Sequence, residues 1–387
     1  MNNNIESVYA SFDTFPAPKG ASVHIGEFAP ALFSYIGSGM LLVLGDKTTP
    51  RWQIENNNTE IRRYISEEVN YLKKAIEFEK FIYNQVEAYQ EKIKIAHFRD
   101  PWSGLPLIKA LKNNRTRFVY EVNALPSIEI PSRLSSVLST TIEKIRKSEL
   151  FCLNKADKIL CPSNVIKNYL TSLEINEDKI IVIQNGARLS DIPHKKPYTA
   201  PENYIIYIGT VQQWQGVETL LKAMTFLEDM SDLKLVFCVS GARPRIKFLQ
   251  KLCDRLKLSD RVIWNIRVGQ NEIKDWLEGA LLSVAPLTEC ERNLIQGCCP
   301  IKIVESMAAG VPVIASNMPV TQELLEHNKT GWLIRPDRPS ELARAIRVLI
   351  YHPEVRERIS TTAKEKVLTD LTWEHSLKRL IDVYKSL

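Results

Sequence analysis

The run Gly297-Cys-Cys-Pro-Ile-Lys-Ile-Val-Glu-Ser-Met-Ala-Ala-Gly-Val-Pro-Val-Ile-Ala-Ser316 holds the residue types in this chain best suited to gripping a phosphate and a sugar. Pro300 stands where the start of a helix tolerates proline, Ile301, Val304 and Ala308 share one face, and Gly310 stops the helix before an apolar stretch from Val311 to Ala315. The pattern predicts loop, helix, turn, strand. A helix that begins at Ile301 offers unpaired N–H groups and a partial positive charge to a phosphate, and Lys302 adds a full charge in the first turn. Glu305, one turn deeper, would accept hydrogen bonds from sugar hydroxyls. A buried helix with a glycine stop and no ligand explains the local pattern equally well.

Such a site needs a scaffold, and the rest of the chain supplies one. Its 387 residues predict two domains of nearly 200 residues each, and 44% hydrophobic content can fill two cores. Short β-branched runs alternate with helical patterns, as in βα units on parallel sheets. In the first half the expected strands run from Ser7 to Phe12, Met40 to Leu44, Ile93 to His97, Arg117 to Val122, Lys158 to Cys161 and Ile180 to Gln184. In the second they run from Tyr204 to Ile208, Lys234 to Val239, Val262 to Asn265, Leu281 to Pro286, Val311 to Ala315 and Gly331 to Ile334. A polar stretch from Glu60 to Lys92 predicts one long solvated helix. The polar, proline-bearing stretch 191–203 predicts a linker between a domain 1–190 and a domain 204–370, and 371–387 predicts an amphipathic terminal helix.

Charge and cysteine content narrow the function classes. The net charge of +6 is shared between the halves, which leaves no basic face for nucleic acid. Seven cysteines, an odd number with no C-x-x-C pair, argue against a zinc site or disulfide framework and for a reducing compartment. No basic-then-apolar leader and no long apolar run is present, so a cytoplasmic protein is expected. Lys109, Lys112, Arg115 and Arg117 fall in 101–120 without an acid. That local excess reads either as a solvated helix end or as a surface for an anionic lipid-linked acceptor or the inner face of a membrane.

The 297–323 segment resembles the donor-site signature of the retaining glycosyltransferases of family 4, which have the GT-B fold. Glu305, Ala309, Gly310, Pro312, Val313 and Glu323 fall in register with that signature, whereas Gly297 stands where its first Glu belongs and Pro300 replaces a Gly. The Pro-x-Lys form is similar to a subgroup variant. The resemblance extends to Phe15–His24, where Gly20 would let backbone approach the donor diphosphate, and to the segment 207–221, where Gly209 ends a strand. Family members commonly hold the diphosphate there with an Arg and a Lys. This chain has Thr210 and Gln215 instead, leaving Lys302, Arg243, Arg267 and Arg292 as candidate cations. Arg243 and Arg267 follow expected strands, the edge that faces ligand in open α/β sheets.

On the acceptor side, His97, Asp100, Glu121 and Asn123 follow apolar strands. Asn123 stands near where many family members carry a His or Asp, so His97, Asp100, Glu121 and His24 remain as candidate bases, each with a structural role as the simpler reading. No D-x-D pair, Walker loop, H-E-x-x-H or G-x-S-x-G is present. The resemblance therefore implies an α/β GT-B fold, two Rossmann-like domains facing a cleft, with the terminal helix crossing back to the first domain. It implies metal-independent transfer of a sugar from a nucleoside diphosphate sugar to a saccharide or lipid-linked acceptor with no other cofactor. In that reading Lys302 and Arg243 are catalytic, and Gly20, Gly209, Arg267, Ile301 and Glu305 bind the donor. A non-catalytic nucleotide-sugar-binding scaffold, or an epimerase or hydrolase of the same fold, is the alternative.

Overall fold

The computed structural model describes residues 5–56, 58–112, 115–134, 136–189 and 195–387. They divide into two compact units. The first holds the described residues up to Ala17, Ala21–Gln184 and Leu377–Leu387; the second holds Pro18–Gly20 and Asn185–Ser376. The change of unit at Gln184–Asn185 falls upstream of the expected linker 191–203, part of which lies outside the described residues.

The first unit is built on β1 (Ser7–Thr14), β2 (Gly39–Leu44), β3 (Trp52–Asn56), β4 (Thr59–Tyr64), β5 (Ile95–Phe98), β6 (Arg117–Glu121), β7 (Lys158–Cys161) and β8 (Ile180–Val182). Their order is β3-β4-β2-β1-β5-β6-β7-β8, and every pairing is parallel except β3 with β4. β1 reads as an almost unbroken buried run because helices cover both faces of a parallel sheet.

The expected helix from Glu60 to Lys92 is corrected here. Its first residues form β4, which pairs with β3 in a hairpin, and the helix covers only Tyr71–Val86. Charged residues at buried strand positions hid the alternation. Glu60 is buried because Arg62 bonds its carboxylate at 2.5 Å and the Trp52 indole donates to it at 2.6 Å. Arg63, on the opposite face, is buried with its guanidinium on the carbonyls of Phe15 (2.8 Å) and Pro50 (3.1 Å).

The second unit carries β9 (Tyr204–Thr210), β10 (Lys234–Ser240), β11 (Val262–Ile266), β12 (Leu282–Ala285), β13 (Val313–Ser316) and β14 (Trp332–Ile334), all parallel in the order β11-β10-β9-β12-β13-β14. Alternation along β9 sends Ile205 and Tyr207 into one core and Ile206 and Ile208 into the other. The central strand is thus locked from both sides, and its C-terminal residues Gly209 and Thr210 are delivered to the sheet edge.

The terminal helix spans Trp373–Lys385, and from Leu377 on it belongs to the first unit, where the Tyr384 hydroxyl lies 2.7 Å from His97 Nδ1. Just before it, Ala187 pairs with Thr372 in an isolated parallel bridge. Gly186 makes that approach possible: a Cβ there would lie 2.4 Å from Thr372 C and from Trp373 N, both backbone atoms that cannot swing aside. Gly186→Ala is expected to cost about 1–3 kcal/mol through overpacking, read as a lowered melting temperature. An unchanged melting temperature would contradict this account of the glycine.

Candidate functional site

The predicted loop and helix at 297–308 are present and can be built from the backbone outward. Arg292–Gln296 forms one π-helical turn, a form often found at functional sites. Gly297 ends it at φ 74°, a left-handed conformation that glycine adopts without strain. The chain then passes Cys299, whose carbonyl accepts a bond of 2.8 Å from the Asn185 side chain, and enters the Ile301–Ala308 helix. Pro300, at the cap, has no side-chain acceptor to spend on the helix end; the Ile303 N–H bonds the Pro300 carbonyl at 3.0 Å, and no side chain caps the N–H groups of Ile301 and Lys302 ahead of it.

Lys302 turns from that first turn onto the end of β9. Its Nζ donates to Gln215 Oε1 at 2.6 Å and to the Tyr207 hydroxyl at 2.9 Å, and lies 4.1 Å from the centre of the Tyr207 ring. Gly209, at φ 119°, leaves the space: a Cβ on it would meet Lys302 Cε and Nζ at 3.2 Å. Burial pushes the ammonium down to about 7, against the pull of Cys298 and Glu305 and with the help of Arg292. Pro18–Gly20 count with this unit, and a Cβ on Gly20 would meet Ile301 Cδ1 at 3.3 Å. Four expected donor residues, Gly20, Gly209, Ile301 and Lys302, are therefore neighbours.

Glu305 sits one turn further on, with its carboxylate bonded by the side-chain amide of Gln270. Burial raises its carboxyl to about 7, opposed by that amide bond and by Lys274 and Lys302. The other candidate cations are less committed. Arg243 is exposed at the first residue of the Arg243–Arg255 helix, and Arg267 is exposed just after β11, with φ 61° and its N–H bonded to the Val239 carbonyl at 2.8 Å. Arg292 holds its guanidinium 5.6 Å over the Trp214 ring.

On the acceptor side the expectation divides. Glu121 is a buried carboxylate that takes bonds from Tyr9 (2.7 Å), Arg99 (2.8 Å) and Asn123, with His24 Nε2 at 2.9 Å and His97 Nε2 at 3.2 Å. Burial alone would raise its pKa, but His24, Arg99 and these bonds outweigh that and hold it well below the usual carboxylate range. His97 has 0% exposure, and burial lowers its pKa. Both side chains are buried and committed to protein partners, which favours the structural role for each. Asp100 caps the Pro101–Ala110 helix, accepting from Ser103 N at 2.9 Å and from Phe12 N at 2.7 Å, and burial raises it to about 6. Asn123 is half-buried and spends its amide on Glu121.

The basic stretch is thinner than its sequence suggests. Lys109, Lys112 and Arg115 are exposed, but Arg117 bonds Asp157 at 3.1 Å. Among the described residues, no helix is long and apolar enough to cross a membrane.

Sequence reasoning missed Tyr207 and Gln270 as partners of Lys302 and Glu305. It counted Gln215 as a lost cation, whereas the amide is what receives the Lys302 ammonium.

Comparison with known proteins gives matches to two successive stretches of the chain. Residues 191–366 match the family model of glycosyl transferases group 1, and residues 45–191 match that of glycosyltransferase family 4. An uncharacterized glycosyltransferase of Methanocaldococcus jannaschii is 24% identical, over 68% of this chain and 68% of its own. Sucrose-phosphate synthase from Thermosynechococcus elongatus superposes with a TM-score of 0.79 at 18% identity, covering 98% of both chains. HepE of Anabaena, solved in complex with UDP and glucose, has a TM-score of 0.77 at 17% identity and covers 99% of this chain and 100% of its own.

The two shifted groups make the ligand-free protein sensitive to pH. With Glu305 raised from 4.5 to about 7, the folded state holds a proton that the unfolded chain releases between those values, so this stabilisation is lost as pH rises through the window. With Lys302 lowered from 10.5 to about 7, the unfolded chain holds the extra proton, and stability rises between about pH 7 and 10.5. The melting temperature of the protein relative to Glu305→Gln should therefore fall from pH 4.5 to 7. A difference that stays flat across that range contradicts the raised carboxyl.

Proposed function

The chain belongs to the group 1, family 4 glycosyltransferases and has their GT-B fold, and from that premise we propose that it transfers a sugar from a nucleoside diphosphate sugar to a saccharide or lipid-linked acceptor. The transfer retains anomeric configuration and draws on no metal. The seven free cysteines support work in a reducing compartment such as the cytoplasm.

The observation that carries this reading is the ammonium of Lys302 on Gly209 and Gln215, where the family's own basic pair is missing. In the transition state the leaving diphosphate gains negative charge while the sugar becomes oxocarbenium-like, so fixed positive charge and N–H dipoles at the phosphates lower the barrier. The open N–H groups at Ile301 supply the dipoles. Lys302 supplies the charge, and a dianion arriving beside it would raise its pKa from about 7 and keep it protonated. Glycines at 20 and 209 let the diphosphate approach backbone closely, and Arg243 and Arg267 are the reserve cations. Glu305 would exchange its amide partner for donor ribose hydroxyls.

A uridine diphosphate hexose is the first donor to test, because HepE holds UDP and glucose. The alternative of a non-catalytic scaffold rested on the missing basic pair, and an amine 2.6 Å from Gln215 weighs against it. With a panel of nucleotide sugars and acceptors, nucleoside diphosphate release is expected with the correct pair. Lys302→Ala should lower kcat by about 10² or more with a smaller loss of donor affinity, since the charge matters most as the bond breaks. A near-normal kcat in that variant would remove Lys302 from the chemistry.

A further inference from the structure

The first unit contains a cavity of about 680 Å³, within the ~300–1,000 Å³ range of small-ligand sites. One wall is a single face of the Gly20–Ile36 helix, drawn by its period: Ile25, Gly26, Ala29, Pro30, Phe33 and Ser34. The other wall is the β3–β4 hairpin that sequence reasoning had placed in a helix. Strand alternation puts Gln53 and Glu55 of β3, and Thr59, Ile61 and Arg63 of β4, on the side that faces the cavity, while Trp52 and Ile54 point outward and are exposed.

The cavity is a groove with direction. One end lies at Phe15, Pro16 and Thr48–Pro50, just after β1 and β2, at the C-terminal edge of the sheet where ligands of open α/β sheets are handled. The other end lies at Gly37 and Asn58, by the opposite edge. It runs along the helix from Ile25 to Ser34.

Its chemistry selects among occupants. The floor is apolar and partly aromatic, from Phe15, Ile25, Phe33, Leu41 and Ile61, and suits the C–H faces of pyranose rings. The lip is made of amides and hydroxyls with one carboxylate. Gln53 gives its amide nitrogen to Glu55, which leaves its carbonyl oxygen as an acceptor, and Asn56 accepts from the Asn58 backbone with its carbonyl, which leaves its amide as a donor. An alkyl chain would cover these groups without pairing them, at a cost. An anion finds no partner either, because the guanidinium of Arg63 is committed to two carbonyls and Glu55 repels it.

We propose that this groove binds the non-reacting units of a neutral oligosaccharide acceptor, with the reacting end toward Phe15. The proposal rests on the transferase reading for the word acceptor, while binding of the glycan itself does not. The site explains why a charged hairpin is added at the edge of an otherwise parallel sheet: it supplies the polar lip.

The full-length protein, fluorescently labelled, is applied to a printed array of neutral oligosaccharides of graded length, beside Gln53→Ala and Ser34→Trp. Ser34 is exposed, so an indole there fills the groove without entering the core. The expected result is a bound glycan of several units whose affinity falls about tenfold or more in Ser34→Trp, and falls less in Gln53→Ala, with UDP affinity unchanged in both. No glycan bound by the unaltered protein, or a glycan that Ser34→Trp binds equally well, overturns the groove. Tighter binding of dodecyl maltoside than of maltotetraose also overturns it, in favour of a lipid. Glycan binding that is lost in Ser34→Trp, in a protein that neither binds UDP nor turns over any nucleotide sugar, would leave the groove standing and defeat the transferase reading.

Discussion

One contact organises the second unit: the ammonium of Lys302 laid against a glycine at the end of the central strand. For Nζ to reach Gln215 and Tyr207 without crowding, β9 carries a residue without a side chain one position before its end, and Gly209 fills it at φ 119°. The helix must also begin within a turn of Lys302, so the preceding loop is pinned by Asn185 on Cys299 and turned by Gly297 at φ 74°. The contact is held under tension of a chemical kind. Its surroundings lower the ammonium to about 7, because burial costs more than the nearby Cys298 and Glu305 return. In the proposed reading an arriving diphosphate would supply the missing counter-charge.

The first unit spends its buried polar groups differently. Glu121 gathers Tyr9, Arg99, Asn123, His24 and His97 around one carboxylate, and Tyr384 of the terminal helix closes the far side of His97. A buried charge with so many partners is stable only while all of them stay in place, and removing one leaves the rest uncompensated. These residues resemble a catalytic cluster in composition. Their saturation makes them a joint between β1, β5, β6 and the end of the chain.

Much of the scaffold was legible in the sequence, because parallel strands buried on both faces read as apolar β-branched runs and the helix at Ile301 announces itself by proline, spacing and a glycine stop. β7 coincides with its expected bounds, and most other strands differ only at their ends. The β3–β4 hairpin was not legible. Glu60, Arg62 and Arg63 look solvated in a one-dimensional pattern, and only their side-chain and backbone partners let Glu60 and Arg63 be buried. In the site, Lys302 and Glu305 could be picked out by their place in a helix turn, whereas their partners Gln215 and Gln270 lie far away in sequence and carry no local signal. Likewise a histidine in an apolar strand, such as His97, looks the same whether its ring meets a substrate or a buried tyrosine.

The state of the Lys302 ammonium tests this account most directly. With lysine labelled at Cε and the signal assigned by Lys302→Arg, NMR should show Lys302 titrating near 7 in the free protein, and the midpoint should move well upward when UDP is added. A midpoint near 10.5 that UDP does not change would mean that the side chain is ordinarily solvated and that no phosphate meets it.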